Sequence, residues 1–581
     1  MSRLFQSLPI WAKVLVVILI ISTLVNLIWI LVVFWNDNSD AYPAKGGIYV
    51  EASVGSLRHI NPILPSSGDA ERDLINLIFE GLQKYDPKTS KIVSGLADCT
   101  VDATATIYTC TLRDNLTWQD GQPLTLDDVL FTYNELAKNP ELPNSSLRAI
   151  FENVILEQVD EHIVKFTLPS PNAFFASELT LGILPRHLLG LLPVSNMELT
   201  EFNLQPVGAG PYKLDSLKKE NDKWTARLSI FENYHDQTAK IEKLVLYYYP
   251  AYTNLAGELS SFNAVRGIPS TEVGRFQNDS RFVLQEFTLP QYVALFLNNS
   301  SDKLKNAKLR YGLLLATDKQ AIADFADGNK VDTPFLGDGN QFDIGFSEER
   351  ARGALNDAGW ELPLNENGEK QTDAVRTKKN DDKVETLTLK AITASTPVLY
   401  EQVLRQIKAQ WEKVGVNLEI SILPIEEFQT AVINRDYDVL LYGQNFGYNP
   451  DLAPFWHSKN ADKGLNFSNY KNFTVDFMLD QAQTQLSAEA RNATFDKIAQ
   501  NIAGPVYDTN GTLVNGVAGI FLYTPRFYFA ADQRVKGLDF QTLAYSADRF
   551  LEIRDWYVWE EKQLKNDLDF GKVWQWFTNK L

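Results

Sequence analysis

Two cysteines and five histidines are all that 581 residues provide of the side chains that most often hold transition metals or act as nucleophiles. His59, His162, His187, His235 and His457 are scattered, and none stands four residues from another, the spacing that puts two imidazoles on one helix face. The chain has no HExxH, no GxSxG elbow, no GxxxxGK(S/T) phosphate loop and no GxGxxG segment after a strand. Acid pairs do occur, as at Asp127-Asp128 and Glu426-Glu427, but each sits at an expected helix start, where carboxylates meet the positive end of the dipole. Catalytic residues, a metal site and a cofactor are therefore not expected. An excess of positive charge is missing too: 55 basic residues against 73 acidic ones leave a net charge of -18, which opposes any attraction to nucleic acid.

Long apolar runs are confined to one place. Val14 to Phe34 is interrupted only by Ser22, Thr23 and Asn26, and as a helix it spans roughly 30 Å, one bilayer core. Arg3 and Lys13 precede it while Asp37 and Asp40 follow, so the N-terminus is expected in the cytoplasm and everything after Trp35 outside. The run is long for the apolar part of a cleaved signal, no small-residue cleavage site follows closely, and no cysteine is near to carry a lipid, which favours an uncleaved anchor over residues 1–36. Residues 37–44 read as a polar linker.

Cys99 and Cys110 flank the turn-prone DATAT, and the alternation from Ile107 to Arg113 reads as a strand, so the two thiols can face each other across a hairpin. Outside the cytoplasm that spacing suggests a disulfide, and inside it two free thiols. In LTWQDGQPLTLDDVLFTYNELAK, Asp120-Gly121 marks a turn and Thr125 with Asp128 a capping-box relative that starts a helix.

Periodicity switches twice between Leu387 and Tyr442. LTLKAI reads as a strand; Thr396-Pro397 supplies an N-cap and first-turn proline to a helix whose stripe is Leu399, Val403, Ile407, Trp411 and Val414, ending at Gly415. The strand VNLEISIL, a helix from Ile425 to about Arg435 and the strand VLLY complete a β-α-β-α-β unit, which handedness rules fold into a parallel sheet. Ligands bind beyond the carboxyl ends of such strands, which makes the loop Gly443, Gln444, Asn445, Phe446, Gly447 and Tyr448 the candidate site. Pro363 to Lys383 is polar and reads as a solvated excursion, and the Trp-rich stretch from Trp556 to Leu581 is expected to dock on the body in preference to touching the membrane.

NPIL at Asn61, LIFEGLQKYD at Leu77, LRDNLTWQDGQPLTLDDVLFT at Leu112, GAGPYKL at Gly208, LRYGLLLATDKQAI at Leu309 and DYDVLLYGQNFGYNPD at Asp436 occur in this order. In that ordered set the chain resembles the extracellular solute-binding proteins of family 5, the oligopeptide and dipeptide binders of ABC importers. The resemblance implies a mixed α/β, two-lobed periplasmic-binding-protein type II fold with an extra inserted domain. Lobe I would combine residues 45–75, 205–291 and 525–555, the inserted domain 76–204, lobe II 292–524 and an aromatic tail 556–581. It also implies a monomer that captures an oligopeptide or peptide-like solute between the lobes and delivers it to ABC permease subunits. A ligand sensor, or a binder of a sugar or metal complex, is the alternative. Many members hold the ligand's amino terminus with an aspartate in this loop; here that place falls on Gly447, so the resemblance leaves either a neutral or blocked ligand or an amine held by another carboxylate such as Asp69, Glu71 or Asp451.

Overall fold

The computed structural model describes residues 9–66, 68–334, 343–380, 383–540, 542–565 and 569–580; Arg3 and Leu581 lie outside them. Ile10–Asn38 is a single 29-residue helix, α1, with no residue buried. Its polar interruptions are satisfied within the helix: Thr23 Oγ1 donates to the Leu19 carbonyl and Asn26 Nδ2 to the Ser22 carbonyl, each at 2.8 Å. Such bonding back along the helix satisfies polar side chains where no water is available.

After α1 the chain forms strand Ser39–Pro43 (β1), strand Ile48–Val54 (β2) and helix Asp69–Ile78 (α2). Four antiparallel strands follow, Ala97–Val101 (β3), Ile107–Leu112 (β4), Ile155–Gln158 (β5) and Ile163–Thr167 (β6), in the order β3-β4-β6-β5. Cys99 stands directly opposite Cys110 in the β3–β4 register, and the two are joined in a disulfide. The Thr125–Asp128 capping box is formed, and Asp128 also accepts from the buried Trp118 indole at 3.3 Å and from the Arg186 N–H at 2.9 Å.

Gln119, next to that tryptophan, explains why two of the sequence motifs travel together. Its side-chain NH2 donates to the carbonyls of Ile78, Gly210 and Tyr212, and its oxygen accepts from the Gly208 N–H at 3.0 Å. A Cβ at Gly208 would collide with the Ile78 carbonyl, so the GAGPY backbone closes on α2 only as glycine.

Among the described residues, one mixed sheet of twelve strands runs through the rest of the body. Along the chain it takes up Tyr212–Glu220 (β7), Lys223–Ile230 (β8), Lys243–Tyr249 (β9), Ala264–Arg266 (β10), Phe282–Thr288 (β11), Gln291–Leu297 (β12) and the β-α-β-α-β unit. That unit comprises Thr388–Ala394 (β13), Val398–Glu412 (α3), Asn417–Leu423 (β14), Ile425–Asn434 (α4) and Val439–Asn445 (β15). The last sheet member is the 14-residue strand Gly519–Asp532 (β16), and strand Glu560–Leu564 (β17) and helix Phe570–Lys580 (α5) end the chain.

The order is β14-β13-β15-β12-β16-β10-β2-β9-β8-β7, with β11 and the short strand Gly328–Lys330 also on β16. β13 is parallel to both β14 and β15, as the crossover helices require. Val403, Leu404, Ile407 and Trp411 of α3 are buried against one face of this sheet, while Tyr292, Phe296, Trp456 and Phe521 pack on the other.

Three local expectations shift. Helix α3 begins one residue late, with Pro397 itself as N-cap, because the Pro397 carbonyl accepts the Tyr400 N–H at 3.0 Å. Strand β15 continues through Gly443, Gln444 and Asn445, paired to Val293, Tyr292 and Gln291 of β12, so the loop proper starts at Phe446. The 363–383 excursion, whose residues 381–382 lie outside the described ones, is not wholly solvated. Arg376 is 1% exposed and donates to the Val414 carbonyl at 2.6 Å, the Asn356 side chain at 2.6 Å and the Trp360 carbonyl at 2.8 Å.

Candidate binding cleft

The carboxyl end of β15 faces residues that come from the opposite side of the molecule. A Cβ on Gly443 would press on the Tyr400 hydroxyl, so a larger residue there requires that ring to move. Gln444 is buried and accepts from the Tyr292 hydroxyl. Asn445 turns its oxygen back to the Gly447 N–H at 2.6 Å and its NH2 toward the Ala544 carbonyl at 3.5 Å. Phe446 packs on Tyr292 and Phe455 with ring centroids 5.6 Å apart in each case. Gly447 has φ +57°, and a side chain there would occupy the position of the Tyr545 hydroxyl.

Tyr448 closes the cleft. Its hydroxyl donates to Asp548 Oδ1 at 2.5 Å, its ring stacks on Tyr85 at 4.9 Å, and its edge meets Tyr545 at 5.2 Å. Asp548 is fully buried and also accepts from the N–H groups of Ala544 (3.0 Å) and Tyr545 (2.7 Å) and from Asn76 (3.3 Å). Burial pushes its carboxyl up to about 6, against the opposing pull of these hydrogen bonds. Burial likewise raises the Tyr448 hydroxyl, helped by the carboxylate it faces. Next along the loop, Asn449 donates to Glu178 at 3.1 Å, and Asp451 accepts from Gln483 at 2.8 Å. Burial raises both the Glu178 and the Asp451 carboxyl, so each is biased toward its neutral form.

Asp69 and Glu71 lie at the start of α2, and their oxygens are engaged within the protein. Asp69 pairs with Arg266 at 2.9 Å, and Glu71, wholly buried, accepts the N–H groups of Arg58 (2.6 Å) and His59 (3.1 Å). Asp69 thereby joins a buried network in which Arg549 bridges Glu51 (2.5 Å) and Asp73 (2.7 Å), while Arg266 holds Asp73 at 3.1 Å. From α2, Asn76 reaches Asp548 and Arg72 reaches Tyr545, its guanidinium lying 4.4 Å over the Tyr545 ring. A cavity of about 90 Å³ is lined by Ile75, Asn76, Tyr85, Thr180, Tyr448 and Phe550, room for a few waters and too little for a peptide unless the two sides separate.

The residues that close on the loop, Tyr85, Glu178, Tyr545 and Asp548, are absent from the sequence expectation. The Tyr448–Asp548 bond spans 100 positions, and no local pattern announces it.

The sequence model of bacterial extracellular solute-binding proteins, family 5 Middle, matches residues 91–466. The chain belongs to this family of extracellular solute-binding proteins. As a solute-binding protein it is 25% identical over 519 residues to the oligopeptide-binding protein AppA of Bacillus subtilis (strain 168), a match covering 85% of this chain and 89% of AppA. Among solved structures, AppA from Bacillus subtilis in complex with a nonapeptide has a TM-score of 0.68 at 23% identity, covering 89% of this chain and 99% of that one. NikZ from Campylobacter jejuni in complex with Ni(L-His) has a TM-score of 0.68 at 24% identity, covering 88% and 99%. These structures establish for the solute-binding protein the mixed α/β periplasmic-binding fold expected from its motifs. Cargo as different as a nonapeptide and a nickel complex occupies that fold, so the residues of each cleft must select it.

Proposed function

We propose that this chain is the substrate-binding component of an ABC importer, anchored by α1 with its body outside the cytoplasm, and that its cargo is an oligopeptide or peptide-like solute. The observation that carries the reading is the meeting of Phe446–Tyr448, at the carboxyl end of β15, with Tyr85, Tyr545 and Asp548 from the facing side. Lobe I (45–75, 205–291, 525–555) with the inserted domain (76–204) forms one jaw, and lobe II (292–524) the other. The jaws hinge where Leu289-Pro290 leads into β12 and where β16 passes from its β12 partners to its β10 and β11 partners. Lys13, just before the apolar run Val14 to Phe34 of α1, and Asp37 and Asp40, just after that run, support the outward placement of the body. The protein works as a monomer, binds without catalysis and hands intact cargo to permease subunits.

Strand-like hydrogen bonds to the ligand backbone supply affinity with little side-chain selectivity. The loop residues Gly443 to Tyr448 form the lobe II side of the site, with Asp69 and Glu71 shaping the opposite wall through Arg266 and the Arg58–His59 backbone. At the end where a free amine would be held, a phenol (Tyr545) and a guanidinium (Arg72) stand beside Gly447. That end receives a neutral or blocked terminus.

Calorimetry of the full chain in lipid nanodiscs, against di- to hexapeptides with free and with acetylated amino termini, tests both parts. Binding heat is expected, with acetylated peptides no weaker than free ones. Heat from free-amine peptides alone overturns the end-group assignment, and no heat from a folded sample overturns the peptide cargo. Recovery of cleaved peptides overturns binding without catalysis.

A further inference from the structure

The aromatic tail docks on the body, as expected, over its first residues only. Trp556 is buried in the main core, but the segment beyond it returns to the membrane helix. β17 pairs antiparallel with β1 over five residues, from Ser39 opposite Leu564 to Pro43 opposite Glu560. Lys565 extends the contact: its N–H donates to the Asn38 carbonyl at 2.9 Å, and its ammonium to the Asp37 carbonyl at 3.2 Å. Lys562 reaches Asn36 at 2.8 Å. Helix α5 then lies beside the last turns of α1, where the Trp576 indole donates to Asp37 at 2.9 Å and its ring meets Phe34 edge-on at 5.0 Å.

Phe34 ends the apolar run of α1 and Asp37 stands in its polar last turn, so with α1 as the anchor Trp576 marks the level at which hydrocarbon gives way to headgroups. Positions 573 and 574 lie side by side on one face of α5, and the sequence puts Val and Trp there. Trp574 is 64% exposed, a large apolar surface presented to solvent at bilayer height. Between Phe570 and Lys580 there are two lysines and no acid, against a net charge of -18 for the whole chain. An aromatic face, lysines and no carboxylates is the composition of a helix that lies in a lipid interface.

We propose that α5 lies in the plane of the outer membrane–water interface of the bilayer that α1 spans, its Trp574 face toward lipid. This rests on the reading of α1 as an uncleaved anchor. The β1–β17 ribbon then ties the body to two membrane contacts instead of one flexible tether, so the cleft keeps a fixed height and tilt above the bilayer.

The test uses full-length protein in vesicles of phosphatidylcholine and phosphatidylglycerol, with a single added cysteine carrying a polarity-sensitive fluorophore and with brominated lipids as quenchers. Labels go at Leu24→Cys, Trp574→Cys and Lys572→Cys. The 574 label is expected to be quenched best by lipids brominated close to the headgroup, as for a face sunk ~5–10 Å into the headgroup–acyl boundary, and the 572 label hardly at all. The 24 label is expected to be quenched best by lipids brominated near the chain ends. A lipid-quenched 24 label with a water-exposed 574 label overturns the interfacial helix while leaving the anchor. A 574 label shielded from water but insensitive to brominated lipid assigns the face to protein and also overturns it. Equal quenching at 572 and 574 overturns the in-plane arrangement, and no quenching at 24 removes the anchor on which the inference stands.

Discussion

Asp548 is where a single side chain couples the cleft to pH. Its carboxyl ordinarily titrates at 3.8, and in the folded protein burial raises it to about 6. The folded state therefore binds this proton more tightly than the unfolded chain does. The stabilisation is fully present below 3.8 and is lost as pH rises through about 6. A shift of this size corresponds to about 3 kcal/mol. Measured by denaturant unfolding, the stability of the wild type relative to Asp548→Asn should fall by about that amount between pH 4 and pH 7; a difference independent of pH would show that the carboxyl is not held neutral by its surroundings. Removing the donor at the other end of the bond, with Tyr448→Phe, takes away one of the groups that lower this pKa, and the transition should move to higher pH. Neither partner was legible from sequence as a pair. Tyr448 stood out because it follows a parallel strand, whereas Asp548 sits in a segment with no period to read.

At the level of elements, legibility followed locality. The β13-α3-β14-α4-β15 unit was readable because each helix carries its own apolar stripe and each strand its own apolar run, and the crossover rule then fixes them as parallel. What the sequence could not give was where β15 stops: GQN carries no strand signal, and it is paired only because β12 offers it a partner from some 150 residues away. Arg376 was hidden for a similar reason, since a charged residue in a polar stretch gives no hint that two backbone carbonyls and an amide oxygen converge on it. The cystine was visible from spacing and strand alternation together. Closing a loop of this length restricts the unfolded chain by about 3 kcal/mol. The Cys99→Ala/Cys110→Ala variant should thus lose roughly 2–3 kcal/mol in denaturant unfolding while keeping ligand affinity, because β3 and β4 lie away from β15. A large loss of affinity with little loss of stability would reverse that assignment.

At the scale of the whole molecule, the contacts among the described residues across the candidate cleft are polar or aromatic. Tyr448 meets Asp548, Asn449 meets Glu178, the Phe174 ring stacks on Phe495 at 6.1 Å, and the Ala173 N–H donates to the Gln483 carbonyl at 2.8 Å. Each such hydrogen bond contributes about 1 kcal/mol, enough to change the ratio of closed to open molecules about fivefold. Under the proposed hinge, Tyr448→Phe combined with Asn449→Ala should raise the ligand-free radius of gyration in small-angle scattering, and saturating ligand should restore the compact value. An unchanged radius in both states would argue against jaws that move.

Strand β16 has a consequence that concerns the birth of the protein. Its residues 519–532 separate β12 from β10 in the sheet, so until they arrive the sheet exists as two halves with bare edges. Under the proposed reading of α1 as an anchor that enters the bilayer first, some 480 residues must leave the cytoplasm before the missing strand can be inserted, on the order of a minute at ordinary rates of synthesis. Through that interval the nascent chain exposes unpaired strand edges at the cell surface, where aggregation is an open risk and shielding by a chaperone would have its greatest effect.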